Sequence, residues 1–357
     1  MDLTTGGYQD NIIFFPGVKE QTQHGVQFNE VALEWLFENV KDDITSRTLG
    51  QYYGIVDGHL LPIGEGKKIN RETFIMFVSK LKVLAQEKPR TAKLAIDILR
   101  RILEYAIENN YALDNLPLST LKKIKISSKA EDEAKYIGED LREKIIALSA
   151  YHHILHPIMV TLLFLGIRSA ELRALRWPDI DFKTGRIKIH NSTTYELEID
   201  PYEGILSKQD VVASTKTEAG CRIVYAPKIV LKALARWKAH CIIKKLYSHQ
   251  GIVFVTTSGT MRTYSGLLSL FRRFCKKHTE ELYGMNITPH MLRHTCATML
   301  LEQKVNPRIV QIILGHAHVT TTLQIYSHVS ESILMMVAKQ FDDMFESIMQ
   351  KKYMPVI

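Results

Sequence analysis

The sequence has little cysteine and no long apolar run. Its four cysteines among 357 residues are widely spaced and form no CxxC pair, so they exclude a disulfide framework and predict reduced, buried thiols. The longest apolar run, residues 157–167, is far shorter than the roughly 20 residues of a membrane-spanning helix. The first residues, MDLTTGGYQD, lack the basic and apolar regions of a secretory signal. These absences predict a cytoplasmic protein with no membrane partner.

The sequence also has fewer acidic residues than basic ones. Lysine and arginine number 46 against 38 aspartates and glutamates, which gives a net charge of +8. Such an excess favours a polyanionic partner, either nucleic acid or an acidic membrane surface, and the missing membrane helix weakens the second alternative. An apolar fraction of 46% excludes a mainly disordered chain, and the length allows two domains.

The first third of the chain is predicted to be helical after an irregular arm, residues 1–25. Apolar spacing predicts four helices, at 31–40, at 44–61, after an N-cap at Asn70, and at 89–110. Four helices in so short a segment predict a small all-α domain, residues 26–118.

Basic residues mark two parts of this region. The fourth helix carries a basic set away from its apolar stripe, which indicates either a nucleic-acid contact or a solvated face: Arg90, Lys93, Arg100 and Arg101. The stretch LKKIKISSK lacks helical periodicity and contains Lys122, Lys123 and Lys125. We interpret residues 119–135 as a basic interdomain linker that can lie along a phosphate backbone.

The remainder predicts a larger mixed domain, residues 136–330. Helices are expected at 139–150, at 157–165 and from Glu171. Alternating runs at 186–190, 194–199 and 222–225 predict one small antiparallel sheet, and helices resume after Pro227.

The segment PHMLRH places His290, Arg293 and His294 on one helical face. Two histidines four residues apart can chelate zinc, but Met291 stands where zinc proteases have a glutamate, and the charge of Arg293 would repel the metal. A guanidinium beside histidines is better suited to a phosphate. His316, after Gly315, could approach as a further donor. We assign no chemical role to His294 or His318, which are interpreted as capping or surface residues.

Tyr326 taken alone would be a packing residue, but next to a phosphate-binding group it can be a nucleophile. A phenol with a pKa of about 10 is a weak nucleophile, so the site must stabilise developing negative charge. The chain has no compact carboxylate cluster for two-metal chemistry, since Asp179 and Asp181 are interpreted as turn residues. We therefore expect no metal and no other cofactor.

Four motifs in order carry a family resemblance: LGIRSAEL, STKTEAGCR, PHMLRH and LGHAHVTTTLQIY. Together they resemble the signature of the tyrosine recombinases, also called phage-type integrases. The helical first domain and linker are similar to the core-DNA-binding domain of integrases from conjugative transposons. The resemblance implies a mainly α fold with a small antiparallel β-sheet, built as a two-domain C-shaped DNA clamp.

The resemblance also implies a set of catalytic residues: Arg168, Lys216, His290, Arg293, His316 and Tyr326. The arginines and histidines would hold the phosphate, Lys216 would act as general acid, and Tyr326 would be the nucleophile. Glu171 is implied to orient Arg168, although it could also be a plain surface carboxylate. DNA contacts are expected from the basic residues named above.

The implied function is site-specific cutting and rejoining of double-stranded DNA through a 3′-phosphotyrosyl intermediate and a Holliday junction. A homo-tetramer in the bacterial cytoplasm would integrate and excise a mobile element, together with an accessory DNA-bending or excision factor. The alternatives are a DNA-inverting recombinase, a chromosome-dimer resolvase, a type IB topoisomerase, and a catalytically inactive DNA-binding relative.

Three segments leave open questions within this resemblance. Residues 1–25 are too few for the arm-binding domain that family integrases commonly carry, so arm-site binding is in doubt. The segment 191–213 is long for a hairpin connection and is interpreted as an insertion that touches DNA or a neighbouring subunit. The apolar stripe on the last helix, within residues 331–357, either packs on its own domain or docks on a neighbouring protomer.

Overall fold

The computed structural model describes residues 26–112, 116–126, 136–214, 221–246, 248, 250–315 and 331–351, the last segment with side chains at 334–346. Lys216, His316 and Tyr326 lie outside the described residues. The contacts divide the chain into two compact units, Met1–Lys129 and Ala130–Ile357. Helices dominate the described parts of both units, with two small antiparallel strand pairs in the second. The predicted mainly α fold with a small amount of antiparallel β structure is thus confirmed.

The first unit contains six described α-helices. They are α1 (Phe28–Glu34), α2 (Ser46–Ile55), α3 (Leu61–Gly64), α4 (Arg71–Glu87), α5 (Pro89–Glu108) and α6 (Ser119–Lys122). π-Helical stretches, Trp35–Val40 and Val56–Leu60, extend α1 and α2. These stretches account for the two longer helices that the sequence predicts there. The predicted N-cap is confirmed, since the Asn70 carboxamide oxygen accepts from the Thr73 N–H at 2.9 Å.

The core of this unit lies between α4 and α5. Phe74, Phe77 and Leu81 of α4 are buried, as are Leu99 and Ile102 of α5. The basic residues of α5 project from the face opposite its buried stripe. The linker differs from its prediction, because its first residues form the short helix α6, with Leu121 buried against the unit.

The second unit surrounds one buried helix. Its helices are α7 (Glu139–Ser149), α8 (Leu155–Leu165), α9 (Ser169–Ala174), α10 (Lys228–Ile243), α11 (Tyr264–Lys277), α12 (Pro289–Glu302), α13 (Pro307–Leu314) and α14 (Glu331–Lys351). Every residue of α8 except His156 is buried, as expected of a helix that is apolar on all sides. It packs against α7, α10 and α12, and its C-terminal end delivers the chain to α9.

The strands form two pairs in the described chain, where the sequence predicts one sheet of three. Strand β1 (Arg186–Ile189) pairs with β4 (Arg222–Tyr225), and β2 (Asn191–Asp200) pairs with β3 (Gly204–Ser214). The prediction missed β3 because this strand has no buried residue along its length and therefore no apolar alternation. The long segment 191–213 is accordingly a two-stranded ribbon.

The last helix, α14, packs on its own unit. Val337 and Phe341 are buried, and the Phe341 ring meets the edge of Phe164 on α8 at a centroid distance of 5.4 Å. The Asp342 carboxylate accepts from the Lys228 N–H at 2.6 Å. Docking on a neighbouring protomer stays a prediction. Among the helices described, none is both long and apolar enough to cross a membrane.

Gly166, at the C-terminal end of α8, is predicted to resist substitution. Its φ of +59° is left-handed, and a Cβ there would meet the Leu314 side chain and approach the Cys296 sulfur to 3.0 Å. Gly166→Ala is therefore expected to destabilise the protein by about 2–4 kcal/mol in urea denaturation, through backbone strain and overpacking.

Gly54, inside α2, is the matched control. It is exposed, and nothing lies within 4 Å of the position that an added methyl group would take. Gly54→Ala is expected to stabilise by about 0.5–1 kcal/mol through helix propensity. Equal effects of the two substitutions would contradict the packing described at Gly166.

Candidate active site

Arg168 and Glu171 are brought together by the start of α9. Arg168 is the N-cap residue, and its backbone N–H donates to Glu171 Oε2 at 2.8 Å. A carboxylate in the first turn is favoured by the helix dipole and satisfies this otherwise free N–H. The Arg168 side chain also donates from Nη1 to Glu171 Oε1 at 2.8 Å. The local sequence RSAE thus starts the helix and pairs the two side chains.

Arg222 approaches the same carboxylate from β4. Its Nη1 donates to Glu171 Oε1 at 3.0 Å and its Nη2 to Oε2 at 2.9 Å, a bidentate pair. The side chains of Arg222 and Glu171 are 0% and 2% exposed. The Arg222 Nε donates to the Ile313 carbonyl at 2.7 Å, so one guanidinium links α9, β4 and α13.

Arg293 and His290 stand on the first turns of α12, which begins at Pro289 after the N-cap Thr288. Arg293 is 6% exposed and donates from Nη1 to the Gly166 carbonyl at 2.5 Å and from Nη2 to the Leu314 carbonyl at 2.8 Å. His290, one turn earlier on the same face, is exposed.

Three arginines bind successive carbonyls at the C-terminal end of α13. Arg222 binds that of Ile313, Arg293 that of Leu314, and Arg168 that of Gly315. The last carbonyls of a helix lack intrahelical partners and form the negative end of its dipole, so cationic donors suit them. Gly315 ends the helix with a φ of +66°, and His316 follows in the sequence.

The charges of this cluster shift two pKa values. Burial raises the pKa of Glu171, but hydrogen bonds and charge interactions with Arg222 and Arg168 outweigh it, so the net pKa is lowered. Burial, with the nearby charge of Arg168, lowers the pKa of Arg293 to about 10. Glu171 and Arg293 are therefore both charged at neutral pH.

The structure brings together Arg168, Glu171 and Arg293 of the residues predicted from the sequence. Glu171 is buried, so it is not the surface carboxylate that the sequence also allowed. The predicted residues Lys216, His316 and Tyr326 lie outside the described residues, and their roles stay predictions. Within the described ranges, no group of three or more histidine, cysteine, aspartate or glutamate side chains could hold a metal ion.

The sequence did not identify Arg222 or Arg173 as functional residues. Alternation in RIVY places Arg222 on the same side of β4 as the buried Val224, and an arginine at a core-facing position was the available signal. Arg173 of α9 is also buried, and its Nη1 donates to Asp210 on β3 at 3.0 Å and to the Arg262 carbonyl at 3.1 Å. It anchors the ribbon next to the candidate site.

Glu171→Gln is expected to destabilise the protein by about 3–5 kcal/mol at neutral pH, because it leaves buried guanidinium groups uncompensated. Since folding lowers the pKa of Glu171, its contribution is complete above its unfolded pKa and is lost as pH falls through the lower folded value. The stability difference from wild type should therefore shrink below about pH 4.3. Urea denaturation from neutral to acidic pH measures both effects.

Glu346→Gln provides the control for this prediction. Glu346 pairs with Lys228 at 3.9 Å, and both side chains are more than half exposed. Removing this surface pair is expected to change stability by at most about 1 kcal/mol. An equally small effect of Glu171→Gln would contradict the importance of the buried cluster.

Comparisons with known proteins identify similar recombinases and integrases. The chain is 24% identical over 349 residues to a tyrosine recombinase XerC-like protein of Caldanaerobacter subterraneus subsp. tengcongensis, covering 90% of this chain and 85% of that protein. It is 27% identical over 252 residues to the ICEBs1 integrase of Bacillus subtilis, covering 69% of this chain but only 63% of the relative.

A solved Tn1549 transposon integrase in complex with transposon right-end DNA has a similar fold. Its TM-score is 0.63 at 18% identity, over 88% of this chain and 99% of that one. The sequence profile of the phage integrase family matches residues 135–332, more than half of the chain. Together with the arginine cluster, this match shows that the chain belongs to the phage integrase family, the tyrosine recombinases.

Proposed function

We propose that this protein is a site-specific DNA recombinase that cuts and rejoins DNA through a covalent 3′-phosphotyrosyl intermediate. The observation that supports this most strongly is the anchoring of Arg168 and Arg293 on adjacent carbonyls at the end of α13. The chain that follows carries His316 and Tyr326 in the order typical of the family. In the sequence, the proposed nucleophile Tyr326 therefore follows the helix end that binds Arg168 and Arg293.

Arg168 is the better placed of the two arginines to bind a DNA phosphate directly. Its side chain is 39% exposed, and its contacts with described residues use one Nη1 and one Nη2 hydrogen. Guanidinium has five N–H donors, so the remaining donors can reach the non-bridging oxygens. The exposed His290 adds a donor, and the buried charge of Arg293 adds electrostatic stabilisation.

In the proposed cleavage step, the phenolic proton of Tyr326 passes to solvent as the tyrosine oxygen attacks the scissile phosphorus. A tyrosyl O–P bond forms while the bond from phosphorus to the 5′ oxygen breaks. Lys216 donates a proton to that oxygen, so the leaving strand ends in a 5′-hydroxyl. Negative charge that develops on the phosphate is stabilised by the arginines and histidines, which requires no metal or other cofactor in this proposal.

Rejoining is the reverse reaction with a new strand. The 5′-hydroxyl of a partner DNA attacks the phosphotyrosyl link, releases Tyr326 and restores the phosphodiester. Because the link conserves the energy of the broken bond, no ATP is consumed. Four protomers acting on two double-stranded sites would exchange strands pairwise through a Holliday junction, with an accessory DNA-bending or excision factor setting the direction.

Integration and excision of a mobile element is the biological role we propose, because a similar protein is named as the transposase from transposon Tn916. Chromosome-dimer resolution is the second candidate, since a XerC-like recombinase is also similar, over 85% of its length. DNA inversion and an inactive relic are further alternatives. Arg168 and Arg293 are both retained, which favours an active enzyme over a relic.

The first unit is proposed to bind the DNA backbone through selected lysines and arginines. Arg100 is paired with Asp97 and Glu104, and Arg101 also with Asp97, so these two charges are partly neutralised. The other members of the set are exposed and have no ion pair in the described part of the chain: Arg90, Lys93, Lys122, Lys123 and Lys125. Free cations release more counterions when they bind phosphates.

Neutralising the lysines of the linker is expected to weaken binding to random-sequence duplex DNA. The triple change Lys122→Gln, Lys123→Gln and Lys125→Gln should lower the slope of log affinity against log salt by about one per lysine. Fluorescence anisotropy across salt concentrations measures this slope. The control Arg100→Gln, which removes an ion-paired charge, should change it less; the opposite ranking would contradict the proposed surface.

A pool of nicked DNA duplexes of randomised sequence tests the proposed function. The protein should form an adduct that survives denaturation, in the presence of EDTA, and sequencing the trapped DNA should recover its site. Tyr326→Phe should form none, because phenylalanine lacks the attacking oxygen.

Tyr264→Phe is the control, since Tyr264 is an exposed tyrosine at the start of α11 and its loss should leave the adduct intact. An adduct that persists in Tyr326→Phe, or one that EDTA abolishes, would refute the proposed chemistry.

A further inference from the structure

Arg222 holds the arrangement of the candidate site without being able to reach a substrate. It is the first residue of β4, and its side chain is fully buried. Its contacts with described residues include both oxygens of Glu171 and the carbonyl of Ile313. Because the side chain is fully buried, any effect on the reaction passes through the groups that it contacts.

The Glu171 carboxylate is shared between two arginines. Oε1 accepts from Nη1 of Arg168 and from Nη1 of Arg222, at 2.8 and 3.0 Å. Oε2 accepts from the Arg168 backbone N–H and from Nη2 of Arg222, at 2.8 and 2.9 Å. Each oxygen thus has two donors, which fill its lone-pair positions. Arg222 therefore fixes the orientation of the Glu171 carboxylate, and this carboxylate in turn binds Arg168.

The third contact of Arg222 reaches the end of α13. Its Nε binds the Ile313 carbonyl, and the next carbonyl but one, that of Gly315, binds Arg168. In the sequence, β4 follows Lys216 and α13 precedes His316. One side chain thus connects Arg168 with the elements that flank two further predicted catalytic residues.

We propose that Arg222 is a positioning residue for DNA cleavage, which holds Glu171 against Arg168 and ties both to the end of α13. This inference rests on the proposed recombinase function. Lysine cannot fully replace Arg222. The planar guanidinium binds the Glu171 carboxylate with two donors and the Ile313 carbonyl with a third, and a single ammonium group does not reproduce this geometry.

The pH dependence of cleavage distinguishes positioning from a general structural role. Among the described residues, the charged groups around Glu171 are Arg168 at the N-cap of α9, Arg222 on β4 and Arg293 on α12. Burial raises the pKa of the neighbouring Cys296 to about 12, so this thiol stays neutral. Without Arg222, burial should raise the pKa of Glu171. Protonation at lower pH would then remove the partner of Arg168.

The experiment measures the rate of covalent adduct formation by the wild type and by Arg222 variants between about pH 6 and pH 8. The substrate is the nicked duplex recovered from the randomised pool, and the protein is at saturating concentration. Arg222→Met should cleave at least about tenfold more slowly, as losses of outer supporting residues commonly do, with unchanged DNA affinity. Its rate should also fall as pH is lowered, more steeply than that of the wild type.

Three further variants complete the test. Arg222→Lys should have an intermediate rate. Arg222→Met combined with Glu171→Gln should be slow, but with the pH profile of the wild type, because the titrating carboxyl is gone. Arg186→Met is the matched control; Arg186 is exposed on β1, the strand paired with β4, and its loss should leave rate and profile unchanged.

The inference is overturned if Arg222→Lys and the double variant cleave at the wild-type rate, or if Arg222→Met loses activity equally at every pH. If Arg222→Met fails to fold, the cleavage rates of Arg222→Lys and of the double variant test the inference. Neither of these variants contains an unpaired buried carboxylate. Absence of any adduct with the wild-type protein would instead refute the proposed function.

Discussion

The buried Glu171 carboxylate is the interaction on which the candidate site depends. Arg168, Arg222 and Arg293 converge on the end of α13, where they would repel one another without an anion between them. Burying an ionised carboxylate normally costs several kcal/mol per ion. Here each of its oxygens receives two donors, which offsets that penalty. The same carboxylate aligns Arg168, so folding and function converge on one residue.

The cluster retains positive charge for a substrate. Three guanidinium charges and one carboxylate leave a net of two positive charges. Burial, with the nearby charge of Arg168, lowers the pKa of Arg293. The carbonyls of Ile313, Leu314 and Gly315 fix the arginines before any phosphate arrives. Donors that are oriented in advance need no rearrangement as charge develops, which is the condition for electrostatic catalysis.

The local order of apolar and polar residues in the sequence was sufficient to predict much of this structure. The apolar run at 157–165 predicts a helix that the structure has at Leu155–Leu165, and the RSAE sequence starts the next one. Strand β3 was missed because it is partly or fully exposed along its length. Arg222 was missed because its partner Glu171 is 51 positions away, and local periodicity carries no information about contacts at that separation.

The proposed reaction depends on a covalent bond between Tyr326 and a DNA 3′-phosphate. Mass spectrometry of a nuclease-trimmed, protease-digested adduct tests it most directly, because it identifies both the modified residue and the end of the attached nucleotide. We expect a nucleotide joined through its 3′-phosphate to the peptide containing Tyr326. A nucleotide on any other side chain, or one joined through its 5′-phosphate, would contradict it.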